Sequence, residues 1–357
     1  MKHILFVFPL IRDIPTGGLK VIYDYANRLI IDDYDVTIAY VAYFKYTDKT
    51  FFRKLKSVTK FIFAKCVLSR SGYTWYRKNS KIKEIYIWEI SQKSIPFADC
   101  YIATAVCTAP YVDDLPINNK KKYYFIQGYE TFLISDSAFV KGTYRLPLKK
   151  IVISNWLAKM VAQEGCESLV IPNGFDSSLY KLTIPIEQKD KYLVSMLYHI
   201  NPVKDVDVGI RAVALAKKVI PQLRLVMFGA YPKPNDLPEW VSFFENPTLE
   251  EHLWINNQAA IYVGCSRMEG WGLTVGEAMM CGQAVACTDN EGYLEMACNG
   301  KNALVTPIMD AEALSKSIIT LVNNDELRYA IAKQAYKSIK NFDFEKSYIR
   351  FRDFITD

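Results

Sequence analysis

Histidine is scarce in this chain, with three residues among 357, and none of the eight cysteines forms a Cys-x-x-Cys pair. Structural zinc sites are built from clusters of these two residue types, so their scarcity and spacing argue against such a site. Most of the cysteines lie in apolar runs, where a free thiol behaves as a small hydrophobic group. We therefore predict a protein with reduced thiols, no metal site and no bound cofactor.

Long hydrophobic runs and low-complexity segments are also missing. No stretch approaches the roughly 20 uncharged apolar residues that a membrane-spanning helix needs. The apolar start of the chain runs for only about eight residues, lacks a small-residue cleavage pattern and stops at Arg12 and Asp13, which favours a first buried strand over a signal peptide. The sequence therefore predicts a cytoplasmic protein.

Acidic residues are nearly absent from segment 45–83, which we call the basic segment. It contains twelve Lys or Arg and one acid, Asp48, so its net charge is +11 in a chain of net charge +6. The rest of the chain is therefore net negative (+6 − 11 = −5). A local block of this kind indicates an anionic partner for the segment alone.

Apolar residues are interleaved with the charges of the basic segment. At helical spacing Leu55, Val58 and Ile62 share one face, as in a helix that lies on an anionic membrane surface. The alternative is a core helix with a solvated basic face. The segment resembles no nucleic-acid-binding module, so nucleic acid is not expected as a partner. We expect peripheral binding to the inner face of the plasma membrane.

The order of strands and helices is that of an α/β protein. Strand, loop and helix alternate through the first half, and the pattern restarts at residue 192, so we predict two doubly wound, Rossmann-like domains that face each other across a cleft. They span residues 1–180 and 181–340, and helix 341–357 packs back on the first. Ligands are expected between them, at the carboxyl ends of the strands.

The densest chemical signal is the segment CSRMEGWGLTVGEAMMCG, residues 265–282. Gly270 and Gly272 stand where a loop enters a short helix, so backbone N–H groups there can approach a phosphate. Glu269 could bind sugar hydroxyls, and Glu277, one turn into the helix, could bind ribose hydroxyls. The alternative is that residues 274–277 form a capping box that needs no ligand.

The spacing from Glu269 to Glu277 resembles the E-x7-E signature of family 4 of the retaining nucleotide-sugar glycosyltransferases. Four further segments are similar to pieces of that family in the same order. They are TGGLKVIYDYANRL (16–29), VISNWL (152–157), VIPNGFD (170–176) and NEGYLEMACNGKNALV (290–305). The resemblance extends over most of the chain, with residues 42–95 as the main gap.

This resemblance implies a GT-B fold and sugar transfer with retention of configuration and without a metal ion. It implies that Glu269 contacts the donor sugar and that Lys204 neutralises the leaving diphosphate. Where relatives carry an arginine this chain has His199, which has no permanent charge. The donor-binding residues that it implies are Gly270, Trp271, Gly272, Leu273, Glu277, Gly17, Gly18 and Gln127, the last in place of a histidine.

The implied function is transfer of a sugar from a UDP-, GDP- or dTDP-linked donor to a glycan or lipid-linked glycan in bacterial surface polysaccharide synthesis. The stretch from Tyr123 to Leu157 is similar to a subset that includes rhamnan transferases. Two alternatives remain: a related GT-B phosphorylase or epimerase, and a catalytically silent subunit that binds carbohydrate or a partner enzyme.

Overall fold

The computed structural model describes residues 2–47, 51–131, 134 and 136–356. The chain divides into two compact units, Met1–Pro172 with Ser347–Asp357, and Asn173–Lys346. The first boundary lies at 172/173 rather than at the expected 180/181. The intervening residues belong to the second unit because Phe175 donates its N–H to the carbonyl of Phe342 (2.8 Å) and Tyr180 bonds to Glu277.

The first unit contains a seven-stranded, all-parallel sheet in the order β3-β2-β1-β4-β5-β6-β7. Six of the strands are the apolar runs that the sequence predicts, and β3 is an additional edge strand. The strands are β1 (His3–Pro9), β2 (Asp35–Val41), β3 (Lys83–Ile87), β4 (Cys100–Ala103), β5 (Lys122–Ile126), β6 (Lys149–Val152) and β7 (Leu169–Val170).

The helices of the first unit connect these strands and cover the sheet. The first helix buries Val21, Ile22, Tyr25 and Leu29 on one face. The helices are α1 (Gly17–Ile31), α2 (Phe51–Phe63), α3 (Ser69–Ser71), α4 (Ala109–Asp114), α5 (Ser137–Tyr144) and α6 (Asn155–Gln163), with a π-helical turn at Ala64–Leu68 and a 3₁₀ turn at Asn119–Lys121.

The second unit repeats this topology with a six-stranded parallel sheet in the order β10-β9-β8-β11-β12-β13. Counted within the unit this order is 3-2-1-4-5-6, the Rossmann arrangement. The strands are β8 (Asp190–Leu197), β9 (Arg224–Gly229), β10 (Val241–Glu245), β11 (Ala259–Gly264), β12 (Ala284–Thr288) and β13 (Leu304–Thr306).

The helices of the second unit pack against this sheet around one apolar core. The main helices are α7 (Val206–Val219), α8 (Leu249–Gln258), α9 (Leu273–Met280), α10 (Glu291–Leu294), α11 (Ala311–Asn323) and α12 (Asp325–Ile339), with 3₁₀ turns at Ile186–Gln188 and Pro202–Lys204. Strand order reverses between β8 and β11, so the loops that follow these two strands meet at the carboxyl edge of the sheet.

The last helix, α13 (Phe344–Thr356), packs on the first unit. Ser347 donates to the carbonyl of Pro172 (2.7 Å), and Tyr348 donates to the carboxylate of Asp32 (2.6 Å). The Phe351 ring stacks on the ring of Tyr25 at 4.3 Å. Buried aromatic contacts and hydrogen bonds therefore hold the end of the chain on the first sheet.

Residues 51–71 of the basic segment form α2, the π-helical turn and α3. Its buried side is lined by Ser57, Ala64 and Leu68. Contrary to the core-helix alternative, Leu55 and Ile62 lie half exposed, at 50% and 56%. Along the described ranges of the chain, no helix has the length and apolar composition required to cross a membrane.

Candidate active site

The centre of the site is an ion pair between Lys204 and Glu269. Lys204 Nζ lies 2.7 and 2.8 Å from the two carboxylate oxygens of Glu269, and Ser266 Oγ donates to the first of them at 2.7 Å. Lys204 follows β8 and Glu269 follows β11, the two neighbouring strands at the reversal point of the sheet. The fold thus joins two residues that are 65 positions apart in the chain.

A second ion pair joins the same two loops. The guanidinium of Arg267 donates twice to the carboxylate of Asp205, at 2.9 and 2.8 Å, and the Arg267 N–H donates to the carbonyl of Val203 at 2.8 Å. Asp205 adopts a positive φ of 50°, which lets the chain turn directly into α7. The fork of Arg267 is therefore engaged by Asp205.

His199 is neutral in this environment. Burial and, to a smaller extent, the positive charge of Lys204 lower its pKa to about 4, against an opposing effect of Glu269. The backbone N–H of Asn201 donates to His199 Nδ1 at 2.9 Å, so the neutral ring carries its proton on Nε2. The ring also packs edge-to-face on Tyr231, with centroids 4.8 Å apart. His199 therefore offers one hydrogen-bond donor and no permanent charge.

Helix α9 begins at the glycines of the E-x7-E segment. Its N-cap is Gly272, whose φ of 103° favours glycine and whose added Cβ would lie 2.5 Å from the ring of Tyr293. The capping-box alternative is therefore wrong: Thr274 lies inside the helix, and its hydroxyl accepts a hydrogen bond from Tyr262 (2.7 Å). The carboxylate of Glu277 is left to other partners.

Glu277 is buried and held by two residues that sequence reasoning missed. The hydroxyl of Tyr180 donates to Glu277 Oε1 at 2.7 Å, and His252 Nε2 lies 3.6 Å from Oε2. Tyr180 comes from the segment before β8, and His252 comes from α8. A signal for His252 was available, because histidine is rare in this chain and this one follows the capped start of a helix.

The neighbouring predicted residues of the segment lie at the start of α9. Gly270 and Leu273 are half-buried beside the start of α9. The side chain of Trp271 is buried against Phe342, with ring centroids 5.1 Å apart. Its indole Nε1 is buried without a hydrogen-bond partner among the described residues.

Residues 290–293 (NEGY), which follow β12, contact the backbone of Glu269 and its partner Ser266. A Cβ added to Gly292 would lie 2.5 Å from the carbonyl oxygen of Glu269, so only glycine permits this approach. Tyr293 donates to Ser266 Oγ at 3.0 Å, and Asn290 donates to the Ser266 carbonyl at 3.0 Å. These contacts fix the serine that bonds to Glu269.

The remaining predicted residues form a separate cluster in the first unit. Gly17 and Gly18 begin α1 after β1, and the side chain of Gln127, after β5, donates to the Gly18 carbonyl at 3.2 Å. Glu130 accepts a hydrogen bond from the N–H of Val106, and burial raises its pKa to about 7. This cluster occupies the carboxyl edge of the first sheet.

Asp13, near this cluster in the sequence, is engaged within the first unit by the backbone and hydroxyl of Thr74, at 3.2 and 3.1 Å. Over the ranges that the structure describes, no group of three or more His, Cys, Asp or Glu is arranged to hold a metal ion. The eight cysteines lie within the described ranges and none of them is in a disulfide; five are buried.

Two parallel-sheet α/β units of this kind define a GT-B protein, and solved GT-B structures match the whole chain. HepE from Anabaena, solved with UDP-glucose, has a TM-score of 0.72 at 16% identity and covers 99% of this chain and 100% of its own. A point mutant of TarM from S. aureus, solved with UDP, has a TM-score of 0.72 at 12% identity and covers both chains completely. These likenesses establish the fold.

Residues 183–338 match the family described as glycosyl transferases group 1. The poly(glycerol-phosphate) alpha-glucosyltransferase of Bacillus subtilis is 22% identical over 195 residues, which are 52% of this chain and 28% of that protein. A Campylobacter jejuni N-acetylgalactosaminyltransferase that acts on an N,N'-diacetylbacillosaminyl-diphospho-undecaprenol is 28% identical over 116 residues, 28% of this chain and 31% of that protein. The chain spans about half or less of the length of the curated relatives it matches. Most of the second unit is therefore similar to the group 1 glycosyltransferase family, in a chain of GT-B fold.

Proposed function

We propose that the chain transfers a sugar from a nucleoside diphosphate sugar to a glycan or lipid-linked glycan, with retention of configuration and without a metal ion. The observation that carries this proposal is the contact between Lys204 and Glu269, where the strand order of the second sheet reverses. The buried Glu277 lies in α9, the helix that begins shortly after Glu269. A donor of this kind requires a cation for its phosphates, a carboxylate for the hydroxyls of its sugar and a second carboxylate for its ribose.

In the proposed reaction the bond between the sugar C1 and the β-phosphate oxygen breaks, and a bond from C1 to the acceptor oxygen forms on the same face. The acceptor proton passes to the leaving phosphate oxygen, so no separate base is needed. Lys204 stabilises the charge that develops on the diphosphate. His199 adds a hydrogen bond from Nε2, and the N–H groups at the start of α9 add their dipole.

The ion pair between Lys204 and Glu269 has a consequence for donor binding. Lys204 and Glu269 satisfy each other, with side-chain exposures of 24% and 13%, so a bound donor must share or replace this contact. A diphosphate attracts Lys204, and sugar hydroxyls can donate to the Glu269 carboxylate that Lys204 leaves. Donor binding thus exchanges one charged contact for two.

The acceptor side of the proposal depends on the first unit. Gln127, Gly17 and Gly18 lie at the carboxyl edge of its sheet, where ligands of doubly wound sheets bind. Bacterial surface glycans are supported as products by relatives whose names describe a poly(glycerol-phosphate) and a diphospho-undecaprenol acceptor.

We further propose that the basic segment docks on an anionic membrane, which would bring a lipid-linked acceptor to the enzyme. Phe51 and Phe52 are 76% and 80% exposed, and the apolar Leu55 and Ile62 lie on the surface among lysines. Binding of this kind needs two contributions. Apolar side chains insert between the lipids, and lysines contact the anionic headgroups.

A donor screen tests the transferase proposal. UDP-, GDP- and dTDP-sugars are incubated with the protein and a lipid-linked glycan, and released nucleoside diphosphate is measured together with the anomeric configuration of the product. Glu269→Gln and Lys204→Met should each lower transfer by at least about 10²-fold, as expected for loss of a preorganised polar group. Glu326→Gln and Lys316→Met, on exposed helical positions of the second unit, are matched controls.

Undiminished transfer in both site variants would refute the assignment of the site. Release of sugar 1-phosphate only in the presence of inorganic phosphate would identify a phosphorylase instead. An epimerised sugar nucleotide without transfer would identify an epimerase.

The membrane proposal is tested by co-sedimentation with phosphatidylcholine vesicles that contain phosphatidylglycerol. Since each basic group near such a surface contributes about 1 kcal/mol, reversing Lys54, Lys56 and Lys65 to Glu should weaken binding by at least about 10²-fold. The matched control reverses three exposed lysines of the second unit, Lys218, Lys316 and Lys337. Binding that is unaffected by salt or by the first triple reversal would refute the proposal.

A further inference from the structure

Side chains from two other elements of the second unit lie against the Glu277 carboxylate, and one of them donates a hydrogen bond to it. Its Oε1 accepts from the hydroxyl of Tyr180 at 2.7 Å, and its Oε2 lies 3.6 Å from Nε2 of His252. Only 5% of its side chain is exposed, so the orientation of the carboxylate is decided by these contacts rather than by solvent. The inference below rests on the proposed nucleotide site.

The two partners are themselves fixed by packing. Tyr180 is 4% exposed, and its ring meets the ring of His252 edge-to-face at 6.4 Å. The other side of His252 packs on Phe228, at the carboxyl end of β9, with centroids 4.7 Å apart. A side chain locked in this way holds a carboxylate within the small angular range that a directional hydrogen bond requires.

A carboxylate has about four acceptor positions, and Tyr180 occupies one of them. Its remaining positions can accept from the hydroxyls of a ribose. A buried group built to bond a ligand hydroxyl discriminates strongly against an analogue without it, because the group is then left unpaired. The vicinal hydroxyls of ribose offer two donors, whereas 2′-deoxyribose offers one.

We propose that Tyr180 and His252 are positioning residues that aim the Glu277 carboxylate at the ribose hydroxyls, and that the enzyme therefore takes ribonucleoside diphosphate sugars in preference to 2′-deoxyribonucleoside ones. This inference narrows the donor class to UDP- or GDP-type nucleotides over dTDP-type nucleotides.

The experiment compares binding of four probes to the full chain by calorimetry: UDP, GDP and the 2′-deoxy form of each. The wild-type protein should bind the ribo form of its preferred nucleotide at least about tenfold more tightly than the deoxy form, the effect of a hydrogen bond to a charged group. Tyr180→Phe and His252→Phe, which keep the rings and remove the polar contacts, should each reduce this ratio at least threefold. They should leave affinity for the deoxy form nearly unchanged.

Tyr262→Phe is the matched control. It removes a buried tyrosine hydroxyl that bonds to Thr274, which lies in α9 with Glu277, and it leaves the hydrogen bond from Tyr180 to Glu277 in place. This variant should keep the wild-type ratio of ribo to deoxy affinity. A wild-type ratio near one, or variants that lose both forms equally, would overturn the inference while leaving the proposed transferase intact. Absence of binding by all four probes would overturn the proposed nucleotide site and this inference together.

Discussion

A substitution at Gly292 tests whether its close contact with the backbone of Glu269 positions that residue. A Cβ at this position would lie 2.5 Å from the carbonyl oxygen of Glu269 and 2.7 Å from its Cβ. Ordinary contacts begin at 3.4 Å, so the two backbones must separate by about 0.9 Å (3.4 − 2.5) in the Gly292→Ala variant. Since the nearest atoms include backbone, no side chain can rotate away to relieve the clash.

The expected consequence falls on Glu269 rather than on the fold. Gly292 lies in α10, where alanine suits the backbone, so the strain is steric alone. A displacement of about 1 Å at a reacting centre lowers the rate about 10²-fold, which corresponds to about 2.7 kcal/mol of transition-state stabilisation. Overpacking should also cost about 1–3 kcal/mol of stability, well below what unfolds a domain of this size.

The assay is release of nucleoside diphosphate at saturating donor, together with thermal unfolding. Gly142→Ala in α5 is the control, because its nearest neighbour is the Arg145 guanidinium at 3.9 Å, an ordinary contact. It should retain wild-type turnover. If Gly292→Ala keeps full turnover at an unchanged melting temperature, the close approach does not position Glu269 and this reasoning is wrong.

Three further predictions concern charged groups of the second unit. Arg267→Met should lower the stability of the protein and the rate of transfer, because the loop that carries Lys204 loses its charged hydrogen bonds. Unchanged denaturant unfolding would contradict this. The pKa of His199 is lower in the folded protein than in the unfolded chain, so the unfolded chain binds a proton first as the pH falls from 6.5 toward 4, and the free energy of unfolding falls over that range. An NMR titration that shows protonation of His199 near pH 6.5 would refute this prediction. Burial lowers the pKa of Lys189 to about 8, so the unfolded chain binds a proton that the folded chain loses as the pH rises. The free energy of unfolding should therefore rise by about 1 kcal/mol from pH 7 to pH 9, relative to that of Lys189→Met. Unfolding curves at the two pH values measure this difference.

Much of the architecture could be predicted from local patterns. Parallel strands that are covered on both faces tend to be apolar, and the alternation of strand and helix read from the sequence agrees with eleven of the thirteen described strands. The two strands that were missed, β3 and β10, stand at sheet edges. Their residues are only partly buried, so they show no continuous apolar run.

The basic segment shows the limit of helical patterns. Its spacing correctly predicts a helix with charged and apolar residues interleaved. Spacing alone cannot decide which face meets the core, and the buried positions are Ser57, Ala64 and Leu68 instead of Leu55 and Ile62. The difference arises because burial depends on what the rest of the fold presents to the helix.

The sequence by itself determined the two βα repeats, the helix that carries Glu277 and the placement of Glu269 and Lys204 after strands. It could do so because strand, turn and helix signals act over a few residues. Only the tertiary structure decided that Lys204 meets Glu269, that Gly292 lies against its backbone and that Tyr180 and His252 hold Glu277. Those contacts join residues that are far apart along the chain, and the packing of strands, loops and helices in the second unit brings them together.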